Sequence, residues 1–220
     1  MHKPMNIKKF LYKLIFTPVG RVLASIWLDP KYLRGRYFEG SLQGWKWVWR
    51  SFWFQEILGV NRHVPWPISP SNTIDDPTTI FFDPDDLQNF MHFGCYFSNV
   101  GGGIIEIGKG TLIAPNVGII TTNHDVMNPV KHQAARHVKI GQNCWLGMGC
   151  VILPGVHLGD HTIVGAGSIV TQSFEDGWCI IAGNPARMIR RIPPPDPRLG
   201  GPHLAPDHQV SLDPSSSNHA

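Results

Sequence analysis

Along the middle of the chain an aliphatic residue recurs at every sixth position: Ile107, Ile113 and Ile119, then Ile140, Leu146, Ile152, Leu158, Val164 and Val170. Five of these nine are followed directly by glycine. Four positions after most of them stands a small or β-branched residue: Thr111, Val117, Cys144, Cys150, Val156, Thr162 or Ser168. A period of six is neither the 3.6 of a helix nor the 2 of a half-buried strand. It predicts a solenoid of triangular cross-section, in which each hexad gives one short strand and one corner and eighteen residues complete a coil. Each aliphatic points into a narrow prism, stacked about 4.8 Å from its equivalent in the next coil. Glycine is expected to relieve the tight corner. Cys144 and Cys150 fall on the repeat as small inward hydrophobes.

The period breaks once. Ile119 and Ile140 are 21 positions apart, which is not a multiple of six. A loop of roughly 125–139 therefore leaves the prism, directly after Thr121-Thr122-Asn123-His124-Asp125, and a loop expelled from a rigid body is where function tends to sit.

The flanks differ from the repeat. Residues 1–66 read as an irregular helical region, with Phe10, Leu14, Val22, Leu23, Ile26 and Trp27 at three- and four-residue spacing. Its stretch WKWVWRSFWF (45–54) is apolar on too many sides for one helix in water, so it packs on protein or faces lipid. Residues 193–220 carry seven prolines, have no aromatic residue and end in PSSSNHA. That composition predicts a disordered tail. The domain reading is thus 1–66 helical, 67–192 the mainly β repeat body, and 193–220 tail.

Composition sharpens this. Glycine (23) and proline (19) are too frequent for a helix bundle in 220 residues, and 16% charged residues is low. The net charge of +3 conceals a split: residues 1–50 carry +8 and the remainder −5. Five of the eight tryptophans (Trp27, Trp45, Trp47, Trp49, Trp53) share the basic end. Residues 1–54 are expected either to touch an anionic membrane surface or to pack on protein; nucleic acid is disfavoured by the acidic body. The four cysteines form no C-x-x-C spacing and no dense disulfide framework, which fits a reducing cytoplasm. The apolar run from Phe10 to Leu28 is interrupted by Lys13, Pro18 and Arg21, too short for a bilayer span or a signal peptide. The expectation is a cytoplasmic protein, at most peripheral on the inner face of the membrane.

Three landmarks occur in order on the repeat: IGKGTLIAPNVGIITTNHD, IGQNCWLGMGCVILPGVHLGDHTIVGAGSIVT and AGNPARMIRRI. With them, about Gly94 to Ile192 resembles the hexapeptide-repeat, left-handed β-helix acyltransferases, which include galactoside, maltose and serine O-acetyltransferases. The segment ILGVNRHVPWPISP (57–70) resembles the branch encoded with surface-polysaccharide enzymes. The resemblance implies a left-handed parallel β-helix, a homotrimer, acetyl-CoA as donor, no metal, and direct transfer to a hydroxyl or amine, of which a sugar hydroxyl is the first reading. It implies His124 as the catalytic histidine and Trp145 at the site wall. Met148, Gly149, Ala166 and Thr171 match positions lining the pantetheine arm, and Arg187 and Arg190 match positions near the CoA phosphates. Asn99, in SNVGGG, stands where an acceptor-contacting asparagine is sought. The usual lysine after GAGSxVT is Gln172.

Acyl transfer from a thioester needs a base for the acceptor's proton, and an imidazole with an unperturbed pKa of about 6.5 suits that task. Asp125 is read either as orienting His124 or as capping the loop, and His132 as an acceptor contact. GAGSI (165–169) is not the nucleophile elbow G-x-S-x-G, so no acyl-enzyme is indicated. GIIEIGKG (103–110) falls one residue short of a P-loop, and Pro129 occupies the aspartate's place in an H-x-x-x-x-D motif. Two alternatives accompany the O-acetyltransferase reading: an N-acetyltransferase acting on an amino sugar, and a non-catalytic trimeric scaffold.

Overall fold

The structure, a computed structural model, describes residues 20–39 and 41–194. The first nineteen residues of the basic region and nearly all of the expected tail lie outside the described residues. The repeat predicted from the hexad is present as a parallel β-helix. One face stacks β1 (Thr73–Ile74), β3 (Tyr96–Ser98), β6 (Gly118–Ile120), β9 (Val151–Ile152) and β12 (Ile169–Val170). The second stacks β2 (Ile80–Phe81), β4 (Ile105–Ile107), β7 (Val138–Ile140) and β10 (His157–Leu158). The third stacks β5 (Leu112–Ile113), β8 (Trp145–Leu146), β11 (Thr162–Val164) and β13 (Cys179–Gly183). On this last face β14 (Ala186–Arg191) turns back antiparallel and ends the sheet.

Register follows the period. Ile140 pairs with Leu158, Leu146 with Val164 and Ile152 with Val170, each eighteen residues on. Across the excursion the partners are Ile107 with Ile140 and Ile119 with Ile152, thirty-three residues apart, so the expelled loop adds fifteen to one coil. All nine repeat aliphatics are buried, and so are Thr111, Val117, Cys144, Cys150, Val156, Thr162 and Ser168.

The glycines act differently from the expectation. A Cβ on Gly108 would meet the backbone of Gly141 at 2.5 Å, and one on Gly147 the carbonyl of Val164 at 2.6 Å. These glycines are required by the approach of the next coil. The left-handed backbone falls two residues later, at Gly110 (φ 77°), Asn143 (φ 52°) and His161 (φ 56°), where glycine, or a side chain that tolerates this region, turns the corner.

The N-terminal region caps the first coil. It contains a 3-10 turn (Pro30–Tyr32), helix α1 (Gln43–Phe52) and a π-helical turn (Trp53–Ile57). An aromatic chain joins it to the prism: Tyr32 lies 5.0 Å from Trp66, Trp66 5.1 Å from Phe90, and Phe90 5.2 Å from Phe97, the inward residue of β3. Asp86, buried in the linking 3-10 segment (Pro84–Phe90), accepts from Gly110 N at 2.6 Å and pairs with Arg36 at 3.4 Å. Burial raises its pKa, against the lowering effect of those partners.

The prism generates two expected outcomes. Ile152→Ala empties a fully buried rung between Ile119 and Val170 and should cost about 2–5 kcal/mol in denaturant unfolding. Burial pushes the Cys144 thiol up to about 11 and the Cys150 thiol up to about 12. All four cysteines are free and buried, so a thiol reagent at mildly alkaline pH should label them only after denaturation.

Candidate active site

The excursion spans 121–137, between the end of β6 and the start of β7, so it opens earlier than the repeat break suggested. It folds back as a hairpin. Arg136 N donates to Thr121 O at 2.7 Å, Gln133 N to Asn123 O at 2.8 Å, and Asp125 N to Lys131 O at 2.8 Å. Thr122 Oγ1 locks the base by donating to Gln133 O at 2.9 Å.

This hairpin sets His124 opposite His132. The two form an isolated antiparallel bridge, with ring centroids 4.5 Å apart and planes inclined by 34°. Both rings are exposed and border an open cleft shared with Tyr96, Ser98, Val100, Ile120, Thr122 and Asn123. Below, Ser98 Oγ donates to Asp75 Oδ2 at 2.8 Å. An exposed imidazole over a floor of hydroxyls can receive a proton from a small polar acceptor lying in the cleft. Tyr96, Ser98 and Asp75 were not among the sequence candidates. The available signal was the strand alternation around inward Phe97, which turns Tyr96 outward.

Two sequence candidates have other duties. Asn99 is fully buried: its Oδ1 accepts from Asp76 N at 2.9 Å, and its amide donates to Thr79 Oγ1 at 2.6 Å and to the Asp76 carbonyl. Its polar groups are spent on the chain, so it is a corner fastener and not an acceptor contact. Asp125 Oδ1 accepts from Met127 N and Asn128 N, both at 2.9 Å, which makes it the loop cap. Neighbouring His137 is likewise engaged, accepting from Ile104 N at 3.0 Å.

The residues matched to the CoA-lining positions divide between two edges. Met148, Gly149 and Ala166 share the corner between the third face and the first, where a Cβ on Gly149 would meet nothing within 4 Å. Trp145 stands exposed on the adjoining third face. Arg187 and Arg190 lie exposed on β14 and make no ion pair among the described residues, whereas Arg191 is paired with Asp176 at 3.0 Å. Thr171 follows β12 on the His124 edge, two rungs from β6. The first face thus separates His124 from the Met148–Ala166 corner within one chain. A larger open cleft, lined by Phe81, Glu106, Lys139 and Asp160, lies on the second face, away from the histidines. It holds cross-strand charge pairs such as Lys139–Glu106 at 3.9 Å and contributes no group to the His124 cleft. Among the described residues, no group of three His, Cys, Asp or Glu could hold a metal ion.

Comparison with known proteins agrees with the repeat. Residues 137–172 match the family model described as bacterial transferase hexapeptide (six repeats). The galactoside O-acetyltransferase of Escherichia coli strain K12 is 41% identical over 91 residues, 40% of this chain and 44% of that protein. The galactoside O-acetyltransferase of Lactococcus lactis is 32% identical over 125 residues, 51% of this chain and 60% of that protein. A solved galactoside acetyltransferase in complex with coenzyme A is 24% identical, with 81% of this chain and 84% of that chain covered and a TM-score of 0.45. The chain therefore spans less than two thirds of the curated relatives it matches. The period, the stacked register and these matches together make the repeat body similar to the hexapeptide-repeat acetyltransferases.

Proposed function

We propose that this chain is an acetyl-CoA-dependent O-acetyltransferase that acts as a homotrimer on a saccharide hydroxyl. Its setting is the cytoplasmic side of surface-polysaccharide or glycoconjugate synthesis. The observation that carries the reading is the exposed His124 ring, held against His132 over a polar cleft where the hairpin of 121–137 leaves the repeat.

The donor set fits acetyl-CoA. The Met148–Gly149–Ala166 corner offers an open strip for a long thin arm, Trp145 an exposed aromatic surface, and Arg187 and Arg190 two unpaired cations for phosphate. Bound there, acetyl-CoA supplies an activated thioester. His124 accepts the proton of the acceptor hydroxyl as its oxygen attacks, and the resulting imidazolium returns that proton to the departing thiol. His132 packs against the ring and limits its rotation. Ser98 and Tyr96 present hydroxyls to the rest of the saccharide. The buried cysteines take no part, which favours direct attack over an acyl-enzyme.

The outward rows of the prism support the trimer. On the second face they are largely charged or polar: Glu106, Lys139 and His157 in register. On the third they are Leu112, Trp145, Ile163 and Ile180, and on the first Tyr96, Gly118, Val151 and Ile169. Two adjoining apolar faces need cover, and a closed ring of three copies gives it through one repeated contact. The same contact would set the His124 edge of one subunit against the Met148–Ala166 edge of another, which a single prism keeps apart.

His124→Ala should lower kcat at least ~10²-fold while leaving acetyl-CoA affinity nearly unchanged, read as thiol release with a panel of sugars. Unaltered turnover would remove the general-base role, and no thiol release by the wild type with any sugar of the panel would favour the scaffold. Leu112→Glu with Trp145→Glu should convert the trimer to monomers in light scattering and abolish transfer; an active monomer would defeat the intersubunit site.

A further inference from the structure

The N-terminal cap leaves one surface uncovered. Burial sorts its aromatic run: Trp45, Val48, Ser51 and Gln55 face inward from α1 and the π turn. Lys46, Arg50, Trp53 and Ile57 line the outer side at intervals of four, three and four residues. Trp53 is 63% exposed, Ile57 56% and Leu58 66%. Ile26 is 77% exposed beside Trp27, which packs on Phe52 at 5.1 Å, and Phe52 stands 6.2 Å from Trp53. Lys46 and Arg50 have no carboxylate partner among the described residues.

Unpaired cations and large apolar side chains on one outward line suit neither water nor a dry protein interface. Water leaves the apolar groups unburied, and a dry interface strands the charges. An anionic bilayer surface satisfies both. Tryptophan and aliphatic tips enter the boundary of headgroups and acyl chains, while ammonium and guanidinium groups meet headgroup phosphates. The charge of the whole chain points the same way, with +8 in the first fifty residues and −5 in the rest turning this end toward the surface and the body away. Among the described residues no helix is long and apolar enough to cross a membrane.

We propose that the face carrying Ile26, Lys46, Arg50, Trp53, Ile57 and Leu58 binds the anionic surface of a bilayer, and that the acceptor is a saccharide held at that surface. The second half rests on the acetyl-transfer reading; the first does not. Geometry links the two. Gln55, on the inner side of the π turn, donates to Val64 O at 2.9 Å, and His63 Nε2 lies 2.8 Å from Ile74 O. The next residue, Asp75, accepts from Ser98 in the floor of the His124 cleft. Since β3 and β6 are the second and third rungs of their face, the cleft lies about 10 Å along the axis from the capped end. An acceptor tethered to the bilayer through a lipid can span that distance.

The full-length chain, without acetyl-CoA, is to be sedimented with vesicles of phosphatidylcholine alone or mixed with phosphatidylglycerol. Co-sedimentation with the anionic vesicles alone, weakening as salt rises, is expected. Lys46→Glu with Arg50→Glu, and separately Trp53→Ser, should each weaken it about tenfold or more. Both variants should keep the wild-type melting temperature and transfer to soluble sugars. Protein left in the supernatant at low salt overturns the membrane half. So does Trp53→Ser dissolving a larger assembly in light scattering without any vesicle binding, since that gives the patch to a second copy. For the acceptor half, the same sugar displayed on a lipid in anionic vesicles should show kcat/KM at least about tenfold above the soluble sugar, since binding confines the enzyme to its acceptor's plane. Equal values overturn that half alone. No thiol release with either form refutes the acetyl-transfer reading and the acceptor half together, while vesicle binding is judged by sedimentation.

Discussion

One aliphatic side chain stacked on another, coil after coil, is the constraint on which the rest depends. Ile119, Ile152 and Val170 form such a column on the first face, and Ile113, Leu146, Val164 and Ile181 on the third. On the second face β4 and β7 bury two such residues each, Ile105 on Val138 and Ile107 on Ile140. The rung spacing then dictates the neighbours: no side chain can stand at Gly108 or Gly147, because the next coil's backbone already fills the space. Burial along such a column is local in space but eighteen residues apart in sequence, so the repeat is rigid without a globular core of its own.

That rigidity explains where the candidate site sits. Extra residues cannot be absorbed inside a column without breaking its register, so an insertion must leave at a corner and return to the same rung. The chain between β6 and β7 does this: Ile119 and Ile152 still stack across fifteen additional residues. Closing the insertion as a hairpin, with Thr122 and Arg136 tying its base, delivers His124 and His132 to one another at a fixed place beside β3. A histidine on a free loop would have no defined partner; on this edge it faces Tyr96 and Ser98 on every molecule.

The parts of the molecule governed by the period were readable from the sequence, and the parts governed by side-chain competition were not. Nine aliphatics and the residues four positions later identified the inward columns, down to Cys144 and Cys150. The left-handed positions escaped notice because asparagine and histidine replace glycine there, at Asn116, Asn143 and His161. Asn99 looked like an acceptor contact by its place in the chain, yet the free N–H of Asp76 and the hydroxyl of Thr79 claim it first. Asp125 had two eligible duties, and the nearer amides of Met127 and Asn128 took it. The N-terminal region was least legible, since Tyr32, Trp66, Phe90 and Phe97 meet across sixty-five residues with no period to announce them.

The same separation of roles extends to the outer surface. Inward positions are fixed by the column, so the outward residue of each short strand is free to vary, and here it varies by face. The second face spends three outward positions on Glu106, Lys139 and His157, which water solvates, beside Phe81; the third spends them on Leu112, Trp145, Ile163 and Ile180, which water does not. A monomer would gain nothing from that distribution, because a row of apolar residues in solvent adds no burial to its own fold. The proposed ring of three copies would bury those apolar faces. The division of the candidate site leads to the same point from the side of chemistry. His124 and the Met148–Ala166 corner stand on opposite edges of the first face, and a rigid prism cannot bend to unite them. Under the proposed acetyl transfer, assembly would be a condition of the reaction rather than an addition to it, and the rigidity that keeps the two edges of one prism apart would hold a shared site in register.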